Sequence, residues 1–208
     1  MVRYLAAAVV LAASICAATL SSAGRAVVGA QACGNDRWDV KTLSDTGAKD
    51  VAHKAMTTTV DDLIATTEPE HVPGDLPRQH DFGDVEFTTY RVTAHLDGWK
   101  ISSDDSDIHL VILDPDSRES MIVEFPNPAC IPAGASDTDR TRMEKARAAI
   151  VEVCSSVKLS TTFRRLLGTA TITGVGFFDK KHHQTGLADN GIELHPALTF
   201  KSSNCRAG

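Results

Sequence analysis

Gly168–Phe200 reads GTATITGVGFFDKKHHQTGLADNGIELHPALTF. Two strand-like runs, Leu167–Phe178 and Ile192–Phe200, flank a polar connection dense in His, Asp and Asn. In the second run Ile192, Leu194 and Leu198 alternate with Glu193, His195 and Thr199, the period of a strand with one apolar face. Gly174 and Gly176 inside the first run allow a sharp coil or the close approach of another backbone. Asn190-Gly191 is a strong turn signal that starts the second run in register. Asp179 and Asn190, at the two ends of the connection, are also placed to orient a ligand, although turn chemistry accounts for both.

The same period recurs upstream. Tyr90, Val92, Ala94 and Leu96 alternate with Arg91, Thr93 and His95, and Asp97-Gly98 marks a bend or bulge before Trp99-Lys100-Ile101. Ile108–Leu113 (IHLVIL) and Met121–Phe125 (MIVEF) are a second and a third strand, separated by Asp114-Pro115-Asp116. Pro126 and Pro128 end the third, since neither can donate to a ladder. Then comes a helix capped by Ser136 or Asp137, with Met143, Ala146, Ile150 and Val153 as its apolar stripe. Arg164-Arg165 reads as a loop before the fourth strand. Three strands, a helix and two more strands is the order of a five-stranded OB-like barrel, strand order 1-2-3-5-4, with the helix plugging one end. An open antiparallel α+β sheet is the other arrangement these strings permit.

Residues 33–84 read as an irregular N-terminal extension to a barrel domain at 85–208. Trp38 and Val40 suggest a short edge strand. The Thr run 57–59 followed by Asp61–Ala65 suggests a capped helical turn. Thr66–Asp84, with Pro69, Pro73, Gly74, Pro77 and Gly83, reads as an extended solvated connection. Ahead of all this, one cation (Arg3), an apolar run from Leu5 to Leu20 and small residues up to Ala30-Gln31-Ala32 have the order of a secretory signal peptide over 1–32. The apolar run is shorter than the ~20 residues of a membrane span, so no stable span is expected after processing. A retained anchor, or lipidation at Cys33, is the alternative to a secreted or periplasmic protein.

The chain carries 21 Lys and Arg against 27 Asp and Glu. Loss of Arg3 and Arg25 with the leader leaves the mature chain at −8, and no basic stripe exceeds Lys180-Lys181 or Arg164-Arg165. Such a chain repels phosphate backbones, which disfavours nucleic acid as a partner. The partner expected is an extracellular ligand. Four mature cysteines (Cys33, Cys130, Cys154 and Cys205) behind a leader imply two disulfides. Cys130–Cys154 across the helix and Cys33–Cys205 between the chain ends is the pairing expected.

Strand parity puts His109 opposite Ile108, Leu110 and Ile112, Glu124 opposite Met121, Val123 and Phe125, and Glu193 and His195 opposite Ile192 and Leu194. In an OB barrel the third strand lies between the second and the fifth, so His109, Glu124, Glu193 and His195 are expected to share one face. That face admits three readings. It is a solvated polar surface of Glu–His pairs, a ligand-binding face, or a metal-assisted hydrolase or nuclease site in which His109, Glu124 and His195 hold a divalent ion. No cofactor is otherwise implied. Neither a His-Glu-x-x-His pair nor a Gly-x-Ser-x-Gly elbow is present. The arginines of a staphylococcal-type nuclease site are not matched either.

The stretches RWDVKTLSD, DIHLVILDPDSRESMIVEFPNPAC and GVGFFDKKHHQTGLADNGIELHPALTF resemble a group of secreted bacterial proteins of about this length. The resemblance covers most of the mature chain. It implies a free-standing secreted domain and supplies no catalytic residues, since the group has no assigned biochemical activity. Where this chain has His182-His183-Gln184, the group often reads His-Gly-Gln.

Overall fold

The computed structural model describes Met1 and residues 33–80 and 83–208. Apart from Met1, the leader read at 1–32 lies outside the described residues. In chain order the elements are α1 (Trp38–Lys41), β1 (Ala52–Thr57), α2 (Val60–Ile64), β2 (Thr88–Ile101), β3 (Ile108–Leu113), β4 (Ser120–Phe125), α3 (Asp137–Val153), β5 (Arg164–Leu167), β6 (Thr169–Phe178), β7 (Ile192–Ser202) and β8 (Arg206–Ala207).

Five of these close the barrel. β2 pairs antiparallel with β3 and β6, β3 with β4, and β6 with β7, while β4 runs parallel to β7. Counting only these five, the circuit is 1-2-3-5-4, and the pairing of β6 with β2 closes it. This is the OB-like barrel the alternation implied. β2 can serve both halves because its register shifts between Leu96 and Gly98, so residues 95–101 face β3 and 89–95 face β6. A bulge there bends the long strand around the corner. β1 adds in parallel to β2, and Arg164-Arg165 form part of β5 rather than a loop.

The interior is a continuous apolar core. Trp99, Ile108, Leu110, Met121, Phe125 and Phe178 are all at most 1 % exposed within it. Ala146 and Ile150 of α3 join the same cluster, as does Leu63 of α2. The two glycines of β6 are there for close approach. A Cβ at Gly176 would lie 2.6 Å from the Val85 carbonyl oxygen, and one at Gly174 2.9 Å from that of Pro196.

A second apolar cluster lies outside the barrel wall. Leu43, Val51, Phe87, Met143, Val175 and Leu198 form it. Leu198 belongs here and not with Ile192 and Leu194, because the β6–β7 register slips between Thr173 and Gly176. Pro196 has no N–H for the ladder there, and Ala197 takes the interior place.

The N-terminal stretch is therefore a cover rather than an irregular tail. Trp38 and Val40 sit in a helical turn, not an edge strand; three residues of alternation do not separate the two. Arg37, in a left-handed conformation (φ 51°), precedes that turn. Its guanidinium holds both Glu86 oxygens, at 2.8 and 2.6 Å, and the Phe178 carbonyl oxygen. Arg78 grips Asp45 with two nitrogens and donates to the Val40 and Glu86 carbonyls. Arg78 is buried and anchors a connection whose other described residues are mostly exposed or half-buried, as the solvated reading expects.

The disulfides are Cys33–Cys130 and Cys154–Cys205, which corrects the expected pairing. The reason is where the cover lands. Trp38 Nε1 donates to the Cys130 carbonyl at 2.9 Å, so the stretch just after Cys33 lies on the turn after β4. Cys154 caps α3, which packs along β7, and Cys205 follows β7.

Candidate functional site

His109 and Glu124 are cross-strand partners in the β3–β4 ladder, and Glu193 sits in register with Ile122 across the parallel β4–β7 pair. Parity then puts all four expected residues, His195 included, on the outer wall of the barrel. There they line one cleft of about 410 Å³. The expectation of one shared face holds. The reading of a solvated surface does not: His109, Glu124, Glu193 and His195 are between 1 and 6 % exposed. Two segments close over them. α1 brings Trp38 and Lys41, and the β6–β7 connection brings Thr185. Gly186 (φ 84°) lets that connection lie on β3, since a Cβ there would meet the Val111 side chain at 2.4 Å.

His109 is hydrogen-bonded at both ring nitrogens, His195 at Nδ1 alone. His109 Nδ1 lies 2.7 Å from Glu124 Oε1, and Nε2 lies 2.8 Å from the Thr185 carbonyl oxygen. A carbonyl and a carboxylate can only accept, so both nitrogens donate and the ring is cationic. Burial works against that charge, but Glu124 and then Thr185 outweigh it and raise the His109 pKa. His195 Nδ1 lies 3.1 Å from Glu193 Oε1. Its Nε2 approaches Asp107 Oδ2 at 3.4 Å, an ion-pair contact without the alignment of a hydrogen bond. Burial again opposes charge, and the two carboxylates reverse it, pushing the His195 pKa up to about 9.

One imidazolium between two carboxylates leaves a negative charge over. Burial lifts the Asp107 pKa to about 6 against the pull of His195. Glu193 is raised too, by burial first and then by the charge of Asp179. Lys41 Nζ meets Asp179 Oδ2 at 3.2 Å. Burial opposes charge on both partners, yet the pairing lowers the Asp179 pKa and raises that of Lys41. The Phe177 ring carries the Arg37 guanidinium at 4.5 Å from its centroid and meets the His195 ring edge-to-face at 5.7 Å.

Asp179 lines the cleft, as expected, but Asn190 does not. Its side-chain NH₂ donates to the Leu63 and Thr66 carbonyls, and its oxygen accepts from the Ile192 amide. Asn190 is thus the pin between the connection and α2. Lys41 and Asp107 were not legible as site residues. Asp107 closes a polar turn, where an acid is ordinary, and Lys41 sits in a stretch that shows no period. The only signal was position: Asp107 immediately precedes the run Ile108–Leu113.

The metal set expected at His109, Glu124 and His195 is not formed. Among the described residues no three His, Cys, Asp or Glu side chains are grouped to hold one ion. One reason is visible at His109, whose two ring nitrogens both donate and so offer no lone pair. What the cleft does offer is acceptor atoms. Glu124 Oε2 and Gln184 Oε1 are buried and have no hydrogen-bond partner. Asp36, Asp104 and Asp105 stand around the mouth, with Lys100, His182 and His183.

Fold and site together define an OB-like barrel with a buried, ionised cleft on its outer wall. No family model, no curated protein and no solved structure matches the chain. Two disulfides suit an extracellular or periplasmic location. No described helix is long and apolar enough to cross a membrane.

Proposed function

We propose that the protein is a secreted binding module whose cleft takes a small cationic ligand rich in N–H donors, of the amine or guanidinium class. One observation carries this: Glu124 Oε2 is a buried carboxylate oxygen, unpartnered, at the wall of the cleft. Leaving such an oxygen unsatisfied costs about 1–3 kcal/mol or more, and a ligand donor recovers it. Gln184 Oε1 adds a second acceptor, and the acids at the mouth favour a positive charge. The leader and the resemblance to a group of secreted bacterial proteins support an exported protein. His109, with both ring nitrogens donating, favours binding over a metal-dependent hydrolase or nuclease.

The test is a chemical-shift titration with alkylamines, diamines and guanidinium compounds, using neutral polyols of matched size as controls. Saturable shifts at His109, Glu124 and Gln184 are expected, and Glu124→Gln weakens the best probe about tenfold, the loss of one charge-assisted contact. Amines that move nothing at these residues contradict the proposal. Elemental analysis of untreated protein is the companion experiment, and a stoichiometric divalent ion would restore the hydrolase reading.

A further inference from the structure

A second cleft, of about 240 Å³, has the opposite chemistry. Its floor is the outer face of β2, β6 and β7. Arg91 pairs across to Thr173 and Thr173 to Thr199; one step along, Thr93 pairs to Thr171 and Thr171 to Lys201. Neighbouring strands are about 4.8 Å apart, so these side chains form a compact grid. β1 contributes His53 to one wall and α3 contributes Arg142.

Its lining includes the donors Arg91, Arg142 and Lys201 and the hydroxyls of Thr171, Thr173 and Thr199. Arg142 Nη1 lies 2.9 Å from His53 Nδ1, and Asp139 Oδ1 lies 3.7 Å from the same ring nitrogen. The Thr173 and Thr199 hydroxyls are 2.7 Å apart; whichever accepts keeps its own proton for an outside acceptor. Thr173 is only 5 % exposed, so that pair is a built part of the floor. Arg91 and Lys201 are exposed and make no side-chain hydrogen bond or ion pair with other described residues. No carboxylate among the described residues lines the cleft. Asp139 stands behind Arg142, 3.9 Å from its Nη1, and offsets that one cation. The surplus is Arg91 and Lys201, on a chain whose formal charge is −6.

We infer that this cleft binds a tetrahedral oxyanion, the phosphate or sulfate group of a small ligand, with Arg91 and Lys201 as its charge partners and the threonine pair as a hydroxyl donor. Guanidinium nitrogens match the spacing of oxyanion oxygens, and each such contact is a charge-assisted hydrogen bond. The three cations come from β2, α3 and β7, too far apart in sequence to form a basic stripe.

The experiment is an amide chemical-shift titration with inorganic phosphate and, separately, with sulfate, at ionic strength held constant with chloride. Saturable shifts confined to residues 53–55, 91, 171–173 and 199–201 are expected. Arg91→Gln lowers the affinity at least tenfold and Lys201→Gln several-fold, while Lys181→Gln leaves it unchanged. Both site residues are exposed, so the variants keep the wild-type Tm, which is checked alongside. Binding of phosphate alone points to a phosphate monoester, and equal binding of sulfate extends the class to sulfate esters. Shifts that chloride reproduces, or that persist undiminished in Arg91→Gln, overturn the assignment. The amine titration of the first cleft is read at different residues, so either result stands without the other.

Discussion

The outer wall of this barrel carries two polar patches, and they differ in what lies on top. On β3, β4 and β7 the side chains His109, Glu124, Glu193 and His195 are roofed by α1 and the β6–β7 connection. On β2, β6 and β7 the side chains Thr93, Thr171, Thr173 and Thr199 form hydroxyl pairs, and the patch stays open enough to leave Arg91 and Lys201 in solvent. Alternation along the strands produced both. The roof decides the chemistry, because charge that would be ordinary in water becomes strongly coupled once water is removed. The roofed patch keeps unpartnered acceptor oxygens and the open one keeps exposed cations, which is why opposite ligand charges are proposed for the two clefts.

Removing the roof should have the largest effect. Arg37→Ala leaves Glu86 buried without its bidentate partner, and breaking such a pair costs about 3–5 kcal/mol. Denaturant melts are expected to show that loss. A loss under about 1 kcal/mol would mean that α1 does not close the site. Truncating one residue in each patch sharpens the contrast. Glu124→Ala strands the His109 imidazolium and is expected to cost about 3 kcal/mol, against about 1 kcal/mol for Thr173→Val, which removes one neutral hydroxyl contact. Equal losses would erase the distinction between the patches.

The roofed patch should also make stability pH-dependent. His195 has a folded pKa of about 9, above its ordinary value, so its contribution is whole below about 6.5 and is lost as pH rises through about 9. Asp107 and Glu193 also have raised pKa values, so the native state holds their protons longer than the unfolded chain does. That also makes stability fall with rising pH, over a more acidic range. Tm is therefore expected to drop between pH 6.5 and 9, and His195→Gln should flatten the drop. The smallest effect is expected outside both patches. Lys181 and Glu68 pair at the surface, each nearly half exposed, and Lys181→Ala should shift stability by less than about 1 kcal/mol.

The strands, their parity and the barrel order were legible because each barrel strand repeats its own period. The face holding His109, Glu124, Glu193 and His195 followed from that parity. Its burial did not, because the covering residues Trp38, Lys41 and Thr185 lie in stretches without periodicity. The disulfide pairing is hidden in the sequence for the same cause. It depends on where the N-terminal cover lands, and Arg37 and Arg78, which fix that landing, look in sequence like ordinary surface arginines. Strict alternation puts Leu198 in the interior because it does not anticipate the register slip near Pro196.

The protonation state of His195 is the most direct reporter of the closed, ionised cleft. A pH titration of its ring carbons and nitrogens by NMR should show both nitrogens protonated at neutral pH and a midpoint of about 9. In Arg37→Ala that midpoint should fall toward the ordinary imidazole value of about 6.5. A wild-type midpoint already near 6.5, with one nitrogen unprotonated at pH 7, would contradict the closed, ionised cleft on which the proposed function rests.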